Sequence, residues 1–218
     1  MGERIGTSAW RRQIHARFPG HPTPVFVFGE EIVPASALWS GARRWVDAFR
    51  GLSLPAGSRL ALTLPPGAAF LQVFLAALWE DTHLVLDAPG SEIEPLFATH
   101  GCAAGILLVD GAPIVVAAPT GAHRWIPLEA TGAPVARHAQ ARFVVRDAAD
   151  RFTSVPDAQA LQAVRTLTFT DEFVSSQPWH TREGVLHDLL QVLFASGHVV
   201  RAGAGHDAEV FARARARS

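Results

Sequence analysis

The sequence contains no lysine, no tyrosine and no asparagine, and all 19 of its basic residues are arginine. Without lysine there is no Schiff-base amine and no ammonium clamp for a phosphate; without tyrosine there is no phenolic acid. The single cysteine, Cys102, excludes an intrachain disulfide and suits a reducing cytoplasm. Its setting, Gly101-Cys102-Ala103-Ala104, predicts a small buried hydrophobe and not a nucleophile. Long apolar runs are missing too. The longest, Ala68 to Trp79, is interrupted by Gln72 and falls short of the ~18 residues of a membrane span. No basic-then-apolar leader opens the chain, because Arg11, Arg12 and Arg17 break every run. A net charge of −1 gives no electrostatic reason to expect nucleic acid or an anionic membrane. A cytoplasmic protein is the expectation.

What is present suits one compact unit of 218 residues, 49% hydrophobic and 18% charged. Residues 1–24 read as a packing arm, with Trp10, Ile14 and Phe18 on one helical stripe. Residues 25–111 read as βα units. Val25-Phe26-Val27-Phe28 and Glu31-Ile32-Val33 form a hairpin, and Pro34-Ala35-Ser36 opens a helix carrying Leu38, Ala42, Trp45, Val46 and Phe49 inward. Strands at Arg59–Leu64, His83–Leu86 and Gly105–Val109 alternate with helices at Ala68–Trp79 and Ser91–His100, the latter with Ser91 and Glu94 as a capping box. Residues 112–150 read as an antiparallel extension that includes a strand at Arg124–Leu128. Residues 151–218 read as a second βα part: a helix at Asp157–Leu167, a strand at Phe173–Ser176, a helix from Gly184, a strand at His198–Val200 and a last helix at His206–Arg217. The fold class is therefore α/β, a mostly parallel sheet covered by helices on both faces with a small antiparallel extension.

Several of these segments resemble the N-terminal portion of the adenylate-forming superfamily, which includes acyl- and aryl-CoA ligases, luciferases and peptide-synthetase adenylation domains. Phe26 to Glu30, the helix Ala35 to Phe49, and Leu54-Pro55-Ala56-Gly57-Ser58-Arg59-Leu60-Ala61-Leu62 are similar to its early motifs. Phe70 to Trp79 resembles its apolar helix, and Leu84-Val85-Leu86-Asp87 a strand that follows. Ser175-Ser176-Gln177-Pro178-Trp179-His180 resembles its proline–aromatic–histidine signature, with Leu189 to Gly197 as the helix behind it. The resemblance implies that Trp179, His180 and Gly184 line an acyl pocket. The plainer reading is that His180 caps the helix beginning near Gly184 while Trp179 fills the core.

The departures bear on activity. The family's phosphate loop, of the type T-S-G-T-T-G-x-P-K-G, corresponds here to Phe152-Thr153-Ser154-Val155-Pro156-Asp157-Ala158-Gln159. Only Thr153, Ser154 and Pro156 match. Thr153 and Ser154 are the remaining candidates for a nucleotide phosphate, against the plainer reading of a helix cap or turn. Asp157 adds negative charge where a triphosphate would sit, and no lysine exists to promote adenylation. The sequence stops before the family's adenine- and ribose-binding motifs, so the chain is expected to be truncated and non-catalytic alone, with no cofactor. It would act as an accessory homologue that binds an acyl or aryl carboxylate or a protein partner. The alternatives are one half of a split ligase, with ATP and magnesium, and an inactive remnant. A sheet cut from a larger fold exposes an edge, and a partner or homodimer is expected there, near His198 to Val200. No metal-ligand spacing occurs, with His100, His123 and His138 on different elements, and no G-x-S-x-G elbow is present.

Overall fold

The computed structural model describes residues 5–18, 24–52, 57–118 and 141–201. The expected strand at Arg124–Leu128 and the last helix at His206–Arg217 lie outside these residues. Among the described residues ten strands fall into two sheets. The larger is ordered β6-β5-β3-β4-β7-β8 and is built from β3 (Arg59–Leu62), β4 (His83–Leu86), β5 (Cys102–Val109), β6 (Ala112–Ala117), β7 (Ala141–Arg146) and β8 (Phe152–Pro156). Its four inner strands are parallel, and an antiparallel strand closes each edge. The smaller sheet is ordered β2-β1-β10-β9, from β1 (Val25–Phe28), β2 (Glu31–Pro34), β9 (Thr170–Ser175) and β10 (Ser196–Arg201). The α/β class and the mostly parallel strands are as the sequence implies, but the strands form two sheets where one was expected.

The period of two in the strands explains how both faces of the larger sheet are covered. Leu60, Leu62, Leu84, Leu86, Ala104, Ile106, Phe143 and Val145 fall on one face and join the main core. Ala61, Val85 and Val144 fall on the other, joined by Cys102 through a register shift at the start of β5, against Ile93, Leu96 and Phe97 of the helix region α4 (Glu94–His100). The main core is built around α3 (Ala68–Trp79). This helix has no charged residue and nine buried positions, and a helix apolar on all sides must be covered on all sides. The amphipathic helix α2 (Ala35–Gly51) covers it from one direction, and Gly41 allows the close approach: a Cβ there would collide with the Gln72 amide. The arm helix α1 (Ile5–Arg17) docks through Trp10, Ile14 and the following Phe18, all fully buried, as their spacing predicts.

Some local expectations are corrected. The helix after β4 begins at Glu94 behind Ile93, with Pro95 in its first turn, where the missing N–H is no loss; Ser91 lies in the preceding turn and caps nothing. His198 to Val200 is not an edge: β10 pairs in parallel with β1 on one side and β9 on the other. Among the described residues no helix is long and apolar enough to cross a membrane.

Candidate functional site

The parallel strands of the larger sheet end together at Thr63, Asp87 and Arg146, and β3 is flanked by β4 on one side and β5 on the other. Such a reversal of strand order leaves a crevice at the carboxyl ends, the usual ligand position in α/β sheets. Asp87 and Arg146 form a two-pronged ion pair there: Arg146 Nε donates to Asp87 Oδ1 at 2.9 Å and Nη2 donates to Oδ2 at 3.0 Å. Arg146 Nη1 also donates to the Asp150 carbonyl at 2.8 Å, and the guanidinium carbon sits 3.9 Å from the Phe152 ring centre. These bonds engage three of the five guanidinium N–H groups. One N–H on each terminal nitrogen is left without a described acceptor, the geometry that takes a carboxylate end-on. Thr63, buried at the end of β3, has a hydroxyl with no hydrogen-bond partner among the described residues.

Pro178-Trp179-His180 is held over this crevice and ties the two sheets together. Trp179 is 1% exposed and packs on Phe70 of α3 and Phe28 of β1, with the Arg201 guanidinium 5.1 Å from its ring centre. Its indole N–H donates to Asp188 Oδ1 at 2.8 Å. Asp188, 2% exposed, also accepts from Ser175 Oγ, from the Ser176 N–H at 2.9 Å and from the Gln177 N–H at 3.1 Å. A buried carboxylate with this many donors fixes the segment from the smaller sheet's side. From the other side, Arg146 N–H donates to the His180 carbonyl at 2.9 Å, and Thr181 bridges to Arg146 in parallel fashion.

The helix behind the segment is α6, which begins as a π-helical turn over Gly184–Leu189 and continues over Leu190–Phe194. Its cap is Thr181: the hydroxyl accepts the Gly184 N–H at 3.0 Å and donates to the Pro178 carbonyl at 2.8 Å. His180 therefore does not cap this helix. Gly184 serves close packing, because a Cβ would overlap the Pro178 carbonyl oxygen. The three residues proposed for an acyl pocket thus separate: Trp179 is core, Gly184 is a spacer, and the half-buried His180 is left facing the crevice. Burial pushes the His180 pKa below that of an ordinary histidine; Asp87 opposes the shift, Arg146 adds to it, and Asp150 opposes it. The ring is neutral at pH 7, with one N–H to donate.

Thr153 and Ser154 are not on a loop. They lie inside β8, paired with Val145 and Val144, and the helix α5 (Asp157–Thr166) starts behind Pro156 with no side-chain cap. Asp157 is not at the crevice. It accepts the Trp10 indole N–H at 2.6 Å and lies 3.7 Å from Arg142 Nε, at the amino end of β7. The turn that does face the carboxyl ends is Asp147–Arg151, and it holds an anion of its own. Asp147 Oδ1 accepts the N–H groups of Ala149 and Arg151, each at 2.9 Å, and Oδ2 accepts the Arg151 guanidinium. These bonds keep the Asp147 carboxyl below its ordinary pKa, the Arg151 N–H contributing most.

No protein-family model and no curated protein matches this sequence. Solved structures do. The ATP-bound MatB of Rhodopseudomonas palustris superposes with a TM-score of 0.67 at 13% identity, over 97% of this chain and 48% of that one. A Mycobacterium tuberculosis fatty acyl CoA synthetase gives a TM-score of 0.65 at 12% identity, over 98% and 49%. The fatty acyl-adenylate ligase of L. pneumophila, in complex with acyl adenylate and pyrophosphate, gives 0.63 at 14% identity, over 96% and 42%. The fold is that of the N-terminal part of the adenylate-forming ligases. The chain spans about half the length of the structures it matches.

Sequence reasoning missed the ion pair and the buried anchor. Asp87 was legible only as the end of a strand motif, although an acid and an arginine ending two adjacent strands is a signal in itself. Asp188 sits in a mostly apolar run, Val185 to Phe194, broken otherwise by His187 and Gln191, where a buried charge requires buried partners.

Proposed function

We propose that this chain binds an acyl or aryl carboxylate at the carboxyl ends of β3, β4 and β7 and does not adenylate it. The observation that carries the reading is the state of Arg146. Asp87, Asp150 and Phe152 hold its guanidinium in place, and two terminal N–H groups remain beside the half-buried His180. In this reading the carboxylate accepts from Arg146 and from the neutral His180 ring, and the Thr63 hydroxyl supplies a further polar contact. The extensive bracing of Ser175–Trp179 by Asp188 is what a preorganised site requires.

The non-adenylating part rests on the Asp147–Arg151 turn. Two of its amides and the side-on edge of its arginine are already taken by Asp147, so a nucleotide phosphate would meet a carboxylate where it needs donors. The lack of lysine in the whole sequence points the same way.

Calorimetric titration with octanoate and benzoate, against octanamide and benzamide, tests the binding. The acids are expected to bind and the amides not, and Arg146→Gln to weaken binding at least ~10-fold, the loss of a charge-assisted pair. Equal binding of acid and amide, or an unaffected Arg146→Gln variant, overturns the reading. ATP–pyrophosphate exchange with the same acids is expected to give no signal from the chain alone. A second reading, one half of a heteromeric ligase, is motivated by coverage of about half of the matched ligases. It predicts exchange that emerges when a separately produced remainder of such a ligase is added.

A further inference from the structure

A cavity lies away from the crevice, in the groove between α5 and the start of α6. It is an open groove of about 450 Å³, within the size range of small-molecule sites. Its floor is apolar, from Ala163, Leu167 and the buried Leu186. Gln162, Thr166, Glu183 and His187, all exposed, form the rim. Arg182 lines the same cavity, and its Nε is shielded from solvent yet has no hydrogen-bond partner among the described residues.

A guanidinium donor removed from water without an acceptor is unfavourable, and an acceptor that enters the groove relieves it. The side-on pair of Nε and a terminal nitrogen matches a carboxylate in particular. Glu183 at the rim sets the other end of the ligand. It repels a second negative charge and accepts from a hydrogen-bond donor, while the apolar floor accommodates methylene groups between the two ends. We infer that this groove is a binding site for a short ω-amino carboxylate, its carboxylate on Arg182 and its ammonium on Glu183. The site is distinct from the Arg146 crevice and does not depend on the reading given to it.

The test is calorimetric titration of the full chain with 4-aminobutyrate, butyrate and 4-aminobutyramide. The amino acid is expected to bind with one-to-one stoichiometry, butyrate more weakly, and the amide not at all. Arg182→Gln is expected to weaken 4-aminobutyrate at least ~10-fold, the effect of losing a hydrogen-bonded charge. Glu183→Gln is expected to remove the preference over butyrate, and Ala163→Trp to block the groove. Arg146→Gln is expected to leave this titration unchanged, which separates the site from the crevice. Absence of saturable binding, or 4-aminobutyrate binding that Arg182→Gln and Ala163→Trp both leave intact, overturns the inference.

Discussion

Strands β4 and β7 carry an aspartate–arginine pair at each end, and the two pairs do different things. At the amino end Arg142, only 2% exposed, donates to Asp81 at 2.7 Å and to the Leu78 carbonyl at 3.1 Å, with Asp157 at 3.7 Å. Asp157 in turn receives the Trp10 indole, so this pair fastens the arm helix, α5 and the turn before β4 into one closed knot. At the carboxyl end Arg146 is 24% exposed, bound to Asp87 and stacked on Phe152, with donors to spare. The same two residue types make a structural rivet where the arginine is sealed and, in the reading proposed above, a recognition element where water reaches the arginine. What separates the two is which partner is buried, the arginine at the amino end and the aspartate at the carboxyl end, not the residue types.

Breaking the sealed pair is expected to have the largest effect. Arg142→Ala leaves Asp81 and Asp157 without their buried cation and is expected to lower the unfolding free energy by about 3–5 kcal/mol, measured by chemical denaturation. Asp188→Asn comes next. The amide retains the shape but presents N–H groups to N–H donors, and a loss of about 2–3 kcal/mol is expected, with altered near-ultraviolet dichroism as the Trp179 clasp loosens. If Asp188→Asn cost nothing, the segment would be held by packing alone.

Each pair also has a histidine beside it, which sharpens the comparison further. His83 and His180 both have pKa values pushed below the ordinary value, in each case first by burial. For His83 the neighbouring Arg142 adds to the shift, and Asp81 opposes it. A histidine that binds its proton less readily folded than unfolded supports the fold fully above pH ~6.5, and that support is lost as pH falls through the depressed folded value. Stability is therefore expected to decline as pH falls below about 6.5. His83→Gln is expected to flatten that decline, and thermal unfolding across the pH series would show it. The smallest effect concerns Cys102, which begins β5 at the same sealed end, where burial pushes its thiol up to about 12. Native protein at about pH 8 is expected to resist iodoacetamide and to react only once unfolded; prompt labelling would mean that the amino end is open.

Much of the scaffold was legible in the sequence. The short apolar strands at Arg59–Leu62 and His83–Leu86, the all-apolar α3 and the spacing of Trp10, Ile14 and Phe18 each dictate a burial that the structure has. Partition into two sheets was not legible, because β9 and β10 read the same locally whether they extend the first sheet or pair with β1. The site was half legible. Pro178-Trp179-His180 stands out by composition, but its roles depend on contacts far along the chain. Trp179 answers to Asp188 and Phe28, and His180 to Arg146. Thr153 and Ser154 illustrate the opposite failure: a short match to a motif says nothing about register, and both residues are ladder positions in β8.

One substitution, Arg146→Gln, tests the division between the two ends most directly when stability and octanoate affinity are measured on the same preparation. The expected result is a modest loss of stability, about 1 kcal/mol for a pair whose arginine water can reach, together with at least ~10-fold weaker octanoate binding. A stability loss as large as that of Arg142→Ala, with octanoate affinity unchanged, would contradict the account and make the carboxyl-end pair a second rivet.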